Sequence, residues 1–451
     1  MRITLCVLLV QLCMIPSVAQ KGNPHWDPFL DTLQQRSIRW FLTATPKENG
    51  LTPDRWPTPS PSSIAAVGFA LTSYPIAAER GLLSRAESAR RVIATLRFLN
   101  DAPQSDRRSG TIGYRGFFYH FLTIPDGTRA WNCELSTIDT ALLMAGVVFC
   151  QSYFDRPTTA ESMIRQIADS LYRRVDWTWS AEGRSGVTLG WTPENGFDKN
   201  SWRGYNEAMI MYILALGSPT HPVPERVWDY WTSTYVWAKY FGQEFVSFGP
   251  LFGHQYSHCW IDFRGLQDGY MRSRGIDYFE NSRRATYSQQ AYATENPLKY
   301  RGYSESIWGI TACDGPADTT FVVEGTSRAF MGYAGRGVSF DWVLDDGTIA
   351  PTAAGGSVAF TPEICIASLK AMRLQHGGRL WKEYGFVDAF NPTFGDAGWY
   401  DHDYLGIDQG PIVVMIENYR NGFVWDVMKK NPYVVRGLKR AGFTGGWLER
   451  N

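Results

Sequence analysis

Glu207 and Asp139 are carboxylates set into stretches that are otherwise apolar. Glu207 opens the run Tyr205-Asn206-Glu207-Ala208-Met209-Ile210-Met211-Tyr212-Ile213-Leu214-Ala215-Leu216, which reads as a helix apolar on nearly every face and so enclosed by other helices. A bare charge is prohibitive there, so the carboxylate must be paired, hydrogen-bonded, protonated or open to a cavity. Asp139 falls inside the stripe Leu135, Ile138, Leu142 and Leu143 at helical spacing; a buried acid bonded to a neighbouring helix would read the same way. Glu134 lies one turn earlier, beside Trp131 and Asn132, where a first-turn acid also gains from the helix dipole. Two carboxylates, one with a raised pKa, suit glycoside hydrolysis: one protonates the leaving oxygen, and the other activates water or attacks the sugar.

The loops around these acids are rich in groups that bind sugars. Trp191 stands in Gly190-Trp191-Thr192-Pro193-Glu194-Asn195-Gly196-Phe197, and Trp202, Tyr205 and Asn206 follow. Flat rings with a polar edge suit pyranose faces as well as cores. The stretch Leu251–Arg264 offers His254, Gln255, His258 and Arg264 as hydrogen-bonding groups. His254 and His258 would face one metal if helical, but Gly253 and the aromatics predict a loop, and no Glu lies between them. No metal or cofactor is therefore expected. Arg264 has Asp262 as a ready partner. Toward the C-terminus, Trp399 begins an aromatic loop that leads to Asp408, placed to cap a helix starting at Pro411. Asp401 and Asp403 read as solvated loop acids, and Asp345-Asp346-Gly347-Thr348 as a turn.

Positioning such a site requires helices, and the sequence supplies about twelve helical patterns. They fall at 27–43, 62–79, 84–100, 136–154, 160–175, 206–216, 225–240, 262–279, 281–300, 362–375, 378–383 and 411–429. Ser84 with Glu87 forms a capping-box spacing. The region 327–360 reads as loops and short strands. No Ser/Gly tract, charge block or low-complexity stretch divides residues 21–451, so one domain is expected. The fold class is all-α: an (α/α)6 toroid of six helical hairpins, with long loops and a few short strands. Inner helices would be apolar all round and outer ones amphipathic.

Residues 1–20 carry Arg2, an apolar run and Ser17-Val18-Ala19, the pattern of a secretory signal. Export, with the periplasm as the expected compartment, follows. Five cysteines remain beyond it, in no framework spacing, and read as small buried hydrophobes with at most a bridge among them. Forty-four Lys plus Arg balance 44 Asp plus Glu, which argues against a nucleic-acid partner held by bulk charge. No further segment approaches a membrane span, and a monomer is expected.

Several phrases run in order along the chain: Trp131-Asn132-Cys133-Glu134-Leu135-Ser136-Thr137-Ile138-Asp139-Thr140, Gly204-Tyr205-Asn206-Glu207-Ala208-Met209, Gly253-His254-Gln255-Tyr256-Ser257-His258, Ala312-Cys313-Asp314-Gly315-Pro316 and Gly406-Ile407-Asp408-Gln409-Gly410-Pro411. Together they resemble the bacterial glycoamylase-like hydrolases, which include endo-β-1,2-glucanases. The resemblance implies an (α/α)6 fold and metal-free, inverting hydrolysis of β-1,2-glucan. It makes Glu207 the general acid, leaves Asp139, Glu134 and Asp408 as candidates for the base, and adds Asp314 to the expected substrate contacts with Trp131, Trp191, Trp202, Tyr205, Asn206, His254, Gln255, His258, Arg264 and Trp399. Endo and exo action both stay open. The rival readings are a non-catalytic glucan-binding protein on the same fold, a hydrolase of another β-glucoside, and a lyase, for which no basic stripe to hold an acidic sugar is present.

Overall fold

The most apolar helical segments of the chain pack on one another, and the amphipathic ones cover them. A computed structural model describes residue 23 and residues 26–450; the signal predicted over residues 1–20 lies outside them. Helix Ile64–Glu79 is buried continuously from Ile64 to Ala77, and Thr137–Tyr153 and Met209–Gly217 are buried almost throughout. The first two touch backbone to backbone. A Cβ on Gly68 would lie 2.3 Å from the Leu142 carbonyl oxygen, and one on Gly146 would lie 2.2 Å from that of Gly68.

From there the contacts run on in order. Thr137–Tyr153 packs on Met209–Gly217, that helix on Phe252–Trp260, Phe252–Trp260 on Gly406–Asn421, and Gly406–Asn421 returns to Ile64–Glu79. The short helix Pro351–Gly355 packs on Gly406–Asn421 and is tied to Phe252–Trp260 by Gln255 Nε2, which donates to the Ala353 carbonyl at 2.8 Å. Amphipathic helices lie outside: Phe29–Ala44 on Gly406–Asn421, Arg85–Asp101 and Thr159–Arg174 against each other, Tyr278–Glu295 on Phe252–Trp260, and Pro432–Arg440 on Met209–Gly217. Strands are short and mostly paired in twos. Three of them, Ser62–Ser63, Leu135–Ser136 and Tyr404–Leu405, lead directly into the helices at Ile64, Thr137 and Gly406.

Several elements depart from the expectation. The expected loop through His254 and His258 is the helix Phe252–Trp260; Gly253 is needed there because the Phe248 ring lies 2.1 Å from where a Cβ would sit. The helix expected over 225–240 stops at Thr232, and Trp237–Tyr240 pairs with Gln243–Val246 as a hairpin. Its turn residues Phe241 and Gly242 have φ 42° and 80°, the left-handed pair that matches strand twist. Between 262 and 279 only Gly269–Arg274 is a complete helix. The C-terminal helix starts at Gly406, five residues before Pro411. Pro411 has no N–H for the Ile407 carbonyl, and the Tyr256 hydroxyl donates to that oxygen at 3.5 Å instead. All five described cysteines are free, four of them buried, so no bridge forms among the described residues.

Candidate active site

The N-terminal ends of several inner helices converge on one cavity of about 520 Å³. Asp139 lies in the first turn of Thr137–Tyr153, Phe252 and Tyr256 on the next helix but one, and Ile407 at the start of Gly406–Asn421; all line the space. Glu207 reaches in from the turn before Met209–Gly217, not from within the helix as expected. That turn is held from two sides. Asn206 Oδ1 accepts from Ala208 N at 3.0 Å, while Ser257 Oγ accepts from Ile210 N at 3.0 Å and donates to the Glu207 carbonyl at 3.3 Å. The Glu207 side chain is partly open to the cavity. Burial among apolar helices, with the Asp139 charge adding to it, lifts its pKa from 4.5 to about 7, so at neutral pH the carboxyl keeps a large protonated fraction.

Asp139 sits in a different setting. Its Oδ2 accepts from Ser136 Oγ, and its own N–H donates to that oxygen at 3.1 Å, the usual N-cap bond. His120 lies between Asp139 and Glu134, Nε2 3.5 Å from Asp139 Oδ2 and Nδ1 2.9 Å from Glu134 Oε1. Burial opposes charging of this ring, but Asp139 and Glu134 outweigh it and lift the pKa to about 9. Glu134 is partly desolvated, yet His120 holds its carboxyl below the ordinary range. Glu134 precedes the strand Leu135–Ser136 and is no first-turn acid. His120 belongs to no motif in the sequence; the bridge of Tyr119 with Leu135 and the bond from its own N–H to the Glu134 carbonyl at 2.9 Å place it here, beside the pairing of Ser62–Ser63 with Phe121–Leu122.

The facing wall is the hairpin Gly190–Thr192 with Gly196–Phe197, paired to Leu135–Ser136. It presents Trp191, Asn195 and Phe197. Trp202 lines the cavity and donates Nε1–H to Thr137 Oγ1 at 2.9 Å, and Tyr333 lines its far side. Trp131 stands outside the cavity, 70% exposed, against the Phe121 ring at 5.3 Å.

Other expected substrate contacts lie elsewhere. Tyr205 is buried in an aromatic stack with Tyr278 and His254, and Asn206 holds the backbone of its own turn. His254 and His258 are fully buried, and desolvation pushes them down to about 4 and about 3. Neutral, they bond the Phe248 carbonyl and Ser282 Oγ. Gln255 joins two helices, as above. Arg264 forms a two-pronged pair with Asp262, at 2.7 and 2.8 Å, over the Trp425 ring. Trp399 packs against Cys313, Ala350 and Ala389. These groups read as sugar contacts because polar and aromatic types serve a core and a cleft equally.

A second acidic group lies beyond Tyr256 and Tyr333. Asp408 does not cap its helix but sits buried in the first turn, and burial with the charges of Asp314 and Asp54 raises it to about 7. Asp388 beside it is raised further by burial and by Asp408. Asp314 pairs with Arg55 at 2.6 Å and its N–H donates to Asp388 Oδ2 at 2.7 Å. Asp401 and Asp403, expected in solvent, are 5% and 3% exposed.

Comparison with known proteins adds relatives to this geometry. Residues 199–432, slightly more than half of the chain, match the Glycoamylase family model, described as "Putative glucoamylase". A curated protein of Parabacteroides distasonis, an exo-β-1,2-glucooligosaccharide sophorohydrolase acting at the non-reducing end, is 28% identical across 92% of this chain. The chain spans 58% of that relative's length. The crystal structure of a "putative glucoamylase" from Bacteroides caccae is 32% identical with a TM-score of 0.80, covering 93% of this chain and 100% of the other. An endo-β-1,2-glucanase from Chitinophaga pinensis, solved with sophorotriose and glucose, is 27% identical with a TM-score of 0.80, covering 93% and 98%. Among the described residues, no helix is long and apolar enough to cross a membrane.

Proposed function

The chain belongs to the Glycoamylase family, and on that footing we propose that it is a glycoside hydrolase that cleaves β-1,2-glucan with inversion. The observation that carries this reading is a carboxyl lifted to about 7 facing a second carboxylate across an aromatic-walled cavity. Glu207 is the general acid, protonating the glycosidic oxygen as the bond breaks. Asp139 is the base that draws a proton from the attacking water; it lines the same cavity, whereas Asp408 does not. His120 holds Asp139 and Glu134 in place, keeping the base apart in charge from the acid, which is the separation acid–base chemistry needs. Trp191, Trp202 and Phe197 offer ring faces for glucose units.

The closed order of helix contacts is taken as the six-hairpin toroid, with the cavity at the N-terminal ends of its inner helices. Export rests on the leader of residues 1–20, and the enzyme acts as a monomer. Both relatives named for β-1,2-glucan favour that linkage, one exo and one endo. The test is release of reducing ends from linear β-1,2-, β-1,3- and β-1,4-glucans by the wild type and by Glu207→Gln. Activity on the β-1,2 polymer, lost in the variant, is expected. A wild type that binds glucan without cutting it would make this a binding protein, and an ultraviolet-absorbing unsaturated product would make it a lyase.

A further inference from the structure

Asp314, Asp388 and Asp401 each bring a carboxylate oxygen to within 4.8 Å of the other two, and all three residues are buried. They come from separate parts of the chain. Asp314 follows the strand Ala312–Cys313, and Asp388 and Asp401 flank the pair Phe390–Asn391 with Trp399–Tyr400. Three acids buried together are costly unless something positive or protic satisfies them.

The protein supplies little of that. Arg55 contacts Asp314 at 2.6 Å but also Asp54 at 3.2 Å. His402, largely exposed, has Nδ1 3.6 Å from Asp401 Oδ1, and Lys382 Nζ reaches only the Asp401 backbone carbonyl, at 3.3 Å. The other groups facing the cluster, Asp54, Asp403 and Asp408, are acids, and Asp408 shares a hydrogen bond with Asp388. Asp401 Oδ1 accepts from the backbone N–H groups of His402 and Asp403. Its Oδ2, on a side chain 95% buried, has no donor at all.

We propose that these three aspartates form a site for one divalent cation, with calcium the ion that the donor set selects. The donors are hard carboxylate oxygens with no thiolate or imidazole among the three, which disfavours zinc and copper. Calcium accepts six to eight such oxygens in flexible geometry, whereas magnesium demands a regular octahedron and gives up water reluctantly. A bound ion would fasten the 388–401 segment to the Ala312 strand, whose Ala312 lines the cavity. Its role is structural, and it takes no part in the acid–base step; the inference stands whether or not the protein cuts glucan.

The experiment is calorimetric titration of calcium into the full chain after dialysis against chelator, with magnesium in parallel and thermal melting beside it. One calcium per chain should bind, raise Tm by mass action and be preferred over magnesium, and Asp401→Asn should weaken binding by at least about tenfold. Absence of heat and of a Tm shift at millimolar calcium in the wild type overturns the proposal, as does undiminished binding in the variant. If Asp401→Asn does not fold, terbium luminescence sensitised by the neighbouring Trp399 and Tyr400 decides on the wild type alone: a signal displaced by calcium supports the site, and no displaceable signal refutes it.

Discussion

The Glu207 carboxyl holds its proton well above the range of its free side chain, and its behaviour with pH follows from that. Unfolded it ionises near 4.5, folded near 7. The fold therefore binds its proton more tightly than the unfolded chain does, and stability from this group is complete below 4.5 and lost as pH rises through 7. Glu207→Gln escapes that loss. Relative to wild type it should gain about 3 kcal/mol above pH 7 compared with pH 4, read as the difference in Tm between the two pH values. Activity should move the other way, with the variant losing roughly 10²–10⁴-fold in kcat and wild-type kcat/KM falling as pH passes about 7. His120 shifts in the same direction, but because its charged form is favoured by neighbouring acids. Its pKa is raised from 6.5 to about 9, so its ion pairs stabilise fully below 6.5 and fade as pH climbs through 9. His120→Gln should thus cost stability at pH 6 and little at pH 10, measured by denaturant unfolding at each. Of the acids, Asp139→Asn should lose more turnover than Asp408→Asn under the same assay; the reverse order would move the base to Asp408.

At the scale of elements, the site depends on how closely the inner helices approach. Gly68 and Gly146 let Ile64–Glu79 and Thr137–Tyr153 meet at their backbones, which fixes the register that brings Asp139 and its cap to the cavity. Gly68→Ala or Gly146→Ala should each cost about 1–3 kcal/mol through overpacking, visible as a lower Tm even though alanine favours helix. Much of this layer was legible in the sequence. The capping-box spacing marks Ser84, whose hydroxyl accepts from Glu87 N, and uniform apolarity marks the enclosed helices. What was not legible depends on tertiary partners. The helix Phe252–Trp260 contains a glycine and two histidines that only their buried neighbours make tolerable. Pro411 reads as a helix start until Tyr256 is seen to take over the abandoned carbonyl of Ile407. His120 joins the site through its own backbone bond to Glu134 and the single bridge at Tyr119, too short to leave a pattern. Glu207 and Asp139 could be singled out because an acid in an apolar run is conspicuous, whereas His254 and Gln255 were misplaced because a polar group in a core resembles one in a cleft.

For the whole molecule, the N-terminal ends of several inner helices meet at one cavity of about 520 Å³. Asp139 stands in the first turn of its helix, capped by Ser136, while burial sets Glu207 apart. The endo-β-1,2-glucanase from Chitinophaga pinensis is similar in fold, with a TM-score of 0.80. Proton NMR of linear β-1,2-glucan during the first minutes of digestion by the wild-type protein reads the stereochemistry at the cleaved bond. The account predicts new reducing ends that appear first as the α-anomer and only later mutarotate, and no such signal with Glu207→Gln. A first-formed β-anomer, or undiminished cleavage by that variant, would contradict it.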